Sequence, residues 1–136
     1  MKRLYLDTNV VMDYLLKREP FDLLAKQLIA AAADGRAQVL VSSLTFTTAH
    51  YLARKTLGNA GAVEALTTLF QKVEVTNVCG SEIDQALQSG RPDFEDAVQF
   101  YAALAAGTEA LVTRDPEGFP ASPVPVLNPL TALAQL

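Results

Sequence analysis

Short apolar runs of strand length alternate with amphipathic helical stretches along the whole chain, and this alternation limits the possible folds more than any other feature. Leu4–Leu6, Gln38–Val41, Val73–Val78, Ala110–Thr113 and Val124–Leu127 read as strands. A helix follows Asp7-Thr8-Asn9, with Asp7 or Thr8 as its N-cap. Pro20 opens a second, with Leu23, Leu24, Leu28 and Ile29 on one face and a stop at Asp34-Gly35. Leu44–Leu57, closed by Gly58, and Ala62–Lys72 are the next helices. Another starts at Ser81 with Ile83 and Leu87 inward, one runs from Asp93 to Ala106, and Asn128-Pro129 caps a last short one. Strands alternating with helices predict an α/β domain whose central sheet is mostly parallel, with four to five strands. At 136 residues the chain is expected to be one domain, 1–136. Four of its seven prolines fall in Pro116–Pro125, which marks a loop and not a boundary.

Several classes are excluded. Half of the residues are apolar and 19% are charged, so the chain buries a core and is not disordered. One cysteine excludes a disulfide scaffold and fits a reducing compartment. One histidine with one cysteine excludes a zinc centre of several such ligands. No apolar run approaches the roughly 18 residues of a membrane span. The charged start at Lys2-Arg3 is interrupted by Asp7 and Asn9, so no signal peptide is expected. The expectation is a soluble, cytoplasmic protein with no membrane association.

The net charge of −4 argues against a general nucleic-acid coat, but its distribution is uneven. Residues 1–72 hold nine Lys and Arg against six Asp and Glu, and residues 73–136 hold two against nine. That acidic half fits either a solvated surface or a metal site that handles a polyanion. In open α/β sheets, sites form beyond the carboxyl ends of strands. Asp7 and Asp115 sit at two such ends, and Asp93-Phe94-Glu95-Asp96 opens a helix. Asp93 and Asp96 share a helix face, whereas Glu95 projects about 100° away. Taken singly, these acids are explained as helix caps or turn residues. If Asp7, Asp96 and Asp115 converge, each pair at about 4 Å repels by ~4 kcal/mol at an effective dielectric of ~20. No lysine follows Lys72, so a divalent cation is the simplest counter-charge. Oxygen-only donors favour Mg²⁺ or Mn²⁺, ions suited to phosphodiester hydrolysis.

The segments LDTNVVMDYLL (Leu6–Leu16), VSSLTFTTAHYLARK (Val41–Lys55), DFEDAVQFYAALAAG (Asp93–Gly107) and TRDPEGF (Thr113–Phe119) resemble, in order and separation, the PIN-domain family. The resemblance implies a three-layer sandwich, a parallel sheet between helices. It also implies a metal-dependent ribonuclease, in many small bacterial members a VapC-type toxin held by a cognate antitoxin and commonly a homodimer. By the same resemblance Asp7, Asp96 and Asp115 are the catalytic and metal-binding acids, with Asp93 as an additional ligand. Asn9 and Thr113 are then supporting residues. One position departs from the pattern. Many PIN domains carry a glutamate on the third helix, and here Thr48 stands there, with no acid between Gly35 and Val63. Thr48 can support by hydrogen bonding but supplies no charge.

Arg91 and Arg114 flank the acids and are candidates for holding the scissile phosphate, or for balancing local charge. Arg54 and Lys55 suit a phosphate contact or a solvated helix face. His50 and Cys79 have nothing to orient them as a nucleophile–base pair. Phe94, Phe100 and Tyr101 read as core, and Phe119 as loop packing. Three functions compete. A ribonuclease comes first. A catalytically weakened PIN-fold module that binds RNA or an antitoxin peptide comes second. An aspartyl-nucleophile phosphotransferase needs a late lysine that the sequence lacks.

Overall fold

The computed structural model of the chain describes residues 2–136. Five strands, β1 (Lys2–Leu6), β2 (Ala37–Ser42), β3 (Glu74–Thr76), β4 (Ala110–Val112) and β5 (Val126–Leu127), form one sheet in the order β3-β2-β1-β4-β5. Every pairing is parallel. The helices are α1 (Thr8–Leu16), α2 (Asp22–Ala33), α3 (Ser43–Phe70), α4 (Gly80–Gln88), α5 (Phe94–Ala105) and α6 (Pro129–Ala134).

Side chains on a strand alternate between faces, and here both faces are buried. Leu4, Leu6, Val39, Val41, Ala110 and Val112 point to one face, where α1, α2, α3 and α6 cover them. Tyr5, Leu40 and Leu111 point to the other, where Phe100, Ala102 and Ala103 of α5 pack on them. The result is the expected three-layer sandwich. The strand order reverses direction between β1 and β4, the place in such a sheet where the connecting loops part and leave a crevice. Register pairs Leu6 with Val112, so the residues that follow, Asp7 and Thr113, emerge side by side at that crevice.

Some local expectations shift. Pro20 lies in the turn before α2, which starts at Asp22. The two helices expected either side of Gly58 are both present within α3, which breaks at Gly58, where φ 73° and ψ 167° are not helical. Leu23 (61% exposed), Leu87 and Phe94 face solvent instead of the core. Leu23 lies about 140° around α2 from Leu28, outside the buried stripe. On α4 the inward position belongs to Ala86, and Phe94 sits in the first turn of α5, before its contact with the sheet. Among the described residues no helix is long and apolar enough to cross a membrane.

Candidate active site

Asp7 ends β1 and caps α1. Its Oδ1 accepts from the Thr8 N–H at 2.8 Å and its Oδ2 from the Thr113 hydroxyl at 2.9 Å. The Thr113 oxygen also accepts from Asn9 Nδ2 (3.3 Å) and from the Asp115 N–H (3.1 Å). Thr113 and Asn9 thereby tie the exits of β1 and β4 together around one carboxylate. Asp7 is 6% exposed, and none of the four ion pairs among the described residues includes it. Burial pushes its pKa up, the bonds from Thr113 and Thr8 oppose that, and the charges of Glu95 and Asp115 add to it.

Asp96 lies in the first turn of α5, where its N–H donates to Asp93 Oδ1 at 2.9 Å. Asp93 is thus an exposed helix cap, a position that the macrodipole also favours. The Asp96 carboxyl is pushed up to about 6, first by burial and then by Asp7, Asp93, Glu95 and Asp115. Asp115 precedes a 3₁₀ turn, Pro116–Gly118, and shares a hydrogen bond with Glu117 that raises its pKa. This turn brings Gly118 against the acids. A Cβ there would stand 2.9 Å from Asp96 Oδ2 and 3.6 Å from Asp115 Oδ2, so glycine leaves open the space between the two carboxylates.

The acids expected from sequence therefore share one neighbourhood, and Glu95 joins them. Its expected 100° offset from Asp96 does not carry it out of range, because the long side chain at the helix start still acts on both Asp7 and Asp96. As the side chains stand, no three His, Cys, Asp or Glu groups among the described residues are drawn together closely enough to hold a metal ion. The donor chemistry nevertheless fits a hard divalent cation. It offers carboxylate oxygens that repel one another, no paired arginine or lysine, and the opening that Gly118 preserves.

The two arginines are already engaged. Arg114 donates to both oxygens of buried Asp13, at 2.6 and 3.2 Å, and lies flat over Phe21 at 3.9 Å. Arg91 donates to the Pro120 carbonyl at 3.0 Å and stacks on Phe100 at 3.9 Å. Arg114 matches the charge-balancing alternative, whereas Arg91 pairs with no acid among the described residues. Thr48 is half-buried, and Thr45, one turn earlier, reaches inward instead, to Thr8 and Gln99. Arg54 and Lys55 stack on the exposed ring of Tyr51 at 4.7 and 5.6 Å. Sequence reasoning missed Glu95, Glu117, Thr8, Thr45 and Gln99. Gln99 did carry a signal, since it and Tyr101 are the only polar residues between Ala97 and Ala106.

A parallel α/β domain with acids gathered beyond the carboxyl ends of β1 and β4 has them where sheets of this kind form their binding crevice. The PIN-domain family model matches residues 3–117, which include Asp7, Asp96 and Asp115, and the chain belongs to that family. No curated protein sequence matches. Among solved structures, the DNA-bound VapBC complex of Salmonella typhimurium is similar with a TM-score of 0.72 and 19% identity, over 95% of this chain and 99% of that one. VapBC2 of Rickettsia felis, bound to a promoter DNA fragment, gives 0.68 and 18% over 93% and 98%. VapC20 of Mycobacterium tuberculosis, a toxin that cleaves the sarcin-ricin loop, gives 0.63 and 20% over 79% and 86%. At these identities the likeness is one of fold.

Proposed function

We propose that this PIN domain is a metal-dependent endoribonuclease and the toxin of a toxin–antitoxin pair. The observation that carries the reading is a group of carboxylates, Asp7, Asp96 and Asp115 with Glu95 beside them, at the sheet's crevice and without a cationic partner. Asp7, Asp96 and Asp115 would hold Mg²⁺ or Mn²⁺. Bound there, the ion would supply an activated water and charge stabilisation for phosphodiester hydrolysis. Asn9 and Thr113 orient Asp7 by holding its Oδ2 partner in place. Glu95, whose charge acts on both Asp7 and Asp96, would be a further carboxylate for the ion in a chain that has Thr48 on the third helix.

The toxin role rests on the fold shared with VapC proteins seen in complexes with VapB. A cavity of about 710 Å³ between α1, α2 and α3, where Lys17, Lys26 and Lys72 alternate with Asp22 and Glu64 around an apolar floor, would take an amphipathic segment of an antitoxin.

Cleavage of a structured RNA substrate in Mn²⁺ should fall more than a hundredfold in Asp7→Asn and in Asp96→Asn, each remaining folded. Calorimetry should show saturable Mn²⁺ binding that Asp96→Asn removes. Cleavage that survives both substitutions would sink the nuclease assignment. No saturable Mn²⁺ binding by the unsubstituted chain would favour the binding-module reading, which the absence of an acid at Thr48 already motivates.

A further inference from the structure

We infer that Gln99 is a positioning residue that sets the spacing between Asp7 and Asp96 by tying α5 to the β1–α1 junction and to the start of α3. The inference rests on the nuclease reading for its purpose but not for its geometry. Gln99 is 4% exposed. Its Nε2 donates to Thr8 Oγ1 at 2.8 Å and to Thr45 Oγ1 at 2.9 Å, and those two hydroxyls bond each other at 3.1 Å. Its Oε1 accepts from the Tyr5 hydroxyl. Both N–H groups and the carbonyl of one amide are therefore used, and one side chain bridges four elements.

The orientation of that amide follows from chemistry. A phenol is protonated at neutral pH, so the Tyr5 hydroxyl, which lies against Gln99 Oε1, acts as a donor. A donor at this point must face the amide oxygen, which turns the NH₂ toward the two threonines. Ser42 caps α3 through the Leu44 N–H, so the start of α3 that carries Thr45 is itself fixed.

The placement matters because the apolar side chains in the first turns of α5 pack elsewhere. On α5, packing against the sheet begins at Phe100, while Ala97 and Val98 pack with Ala86 of α4. The turn that carries Asp96 thus meets the β1–α1 junction through Gln99, which lies three residues on and on the same helix face. On the other side of the bridge, Thr8 directly follows Asp7 and donates its N–H to it. A displacement of a fraction of an ångström at Gln99 passes to both carboxylates. Buried amide networks of this kind are stringent, since removing one member leaves several others unsatisfied.

The test substitutes Gln99→Leu, which keeps the volume and removes the bonds, and Thr45→Val, which removes one hydroxyl. Calorimetric Mn²⁺ affinity and crystal structures of the metal-free proteins are the two readouts. Gln99→Leu should weaken Mn²⁺ binding about tenfold or more, in line with residues that orient metal ligands indirectly. It should also change the Asp7–Asp96 Cα separation. Thr45→Val should weaken binding less, and should add nothing further in the Gln99→Leu background, because both act through one network. An unchanged Mn²⁺ affinity and an unchanged separation overturn the proposal whatever the melting temperature does. If Gln99→Leu does not fold, Thr45→Val decides by the same two readouts. If the unsubstituted chain binds no Mn²⁺, the nuclease reading fails, and the Asp7–Asp96 separation alone decides whether Gln99 positions them.

Discussion

Asp7 and Asp13 lie six positions apart, and both are almost fully buried, yet their surroundings are opposite. Asp13 faces the Arg114 guanidinium through two hydrogen bonds, with Arg18 at 3.9 Å as a second cation. Asp7 has only a hydroxyl and a backbone N–H, and its charged neighbours, Glu95 and Asp115, are acids. A buried carboxylate matched by arginine holds parts of the fold together. A buried carboxylate left among like charges costs stability, and such residues persist where an external cation or a reaction needs them. The contrast also explains Arg114. It follows Thr113 in the chain and looks like a phosphate ligand from sequence, but its charge is spent on Asp13.

The largest expected effect comes from removing the matched acid. Asp13→Ala leaves Arg114 without its partner and should cost about 3 kcal/mol, or on the order of 10 °C in melting temperature. Asp7→Asn should change the melting temperature of the metal-free protein by no more than a few degrees in a thermal scan at pH 7. A collapse as large as that of Asp13→Ala would break the comparison.

Asp96 gives a pH test with a definite sign. Its folded pKa of about 6 lies above the ordinary carboxyl value of 3.8, so the folded state binds the proton more tightly than the unfolded one. Its contribution to stability is therefore most favourable below pH 4 and is lost as the pH rises toward 6. Asp96→Asn should raise the metal-free melting temperature at pH 7 by a few degrees. After discounting for solvent screening this is on the order of 1 kcal/mol. The advantage should vanish near pH 4 in parallel thermal scans. An advantage that persists unchanged at pH 4 would show that ionisation of Asp96 is not its source.

The smallest effect is expected at Gly118. Gly118→Ala places a methyl 2.9 Å from Asp96 Oδ2, which a rotation of the flexible carboxylate relieves. Stability should change by less than about 1 kcal/mol, while Mn²⁺ affinity falls several-fold by calorimetry. Unchanged affinity would mean that the space between Asp96 and Asp115 is not needed for the ion.

Much of this was legible before the tertiary structure. Asp7 and Asp115 could be placed because strand ends are marked locally, by LYL before one and LVT before the other. Asn128 reads as a cap from its own helix start and Asp93 as the opening of a helix, and the structure gives both a capping bond. Glu95 is not legible in the same way, because ideal helical angles describe where a Cβ points, not how far a long side chain reaches.

The alternating α/β pattern, the acids at strand ends and the likeness to PIN domains are written in the linear sequence. These depend on local periodicity and on short motifs, which a linear chain displays directly. Only the tertiary structure decided which acids are neutralised and which are not. The Asp13–Arg114 pair joins positions 101 apart, and Gln99 reaches Thr8 across 91 positions and Thr45 across 54. Such partners are chosen by strand order and register. A one-residue slip of a strand would turn every side chain to the other face, so they exist only once the sheet has closed.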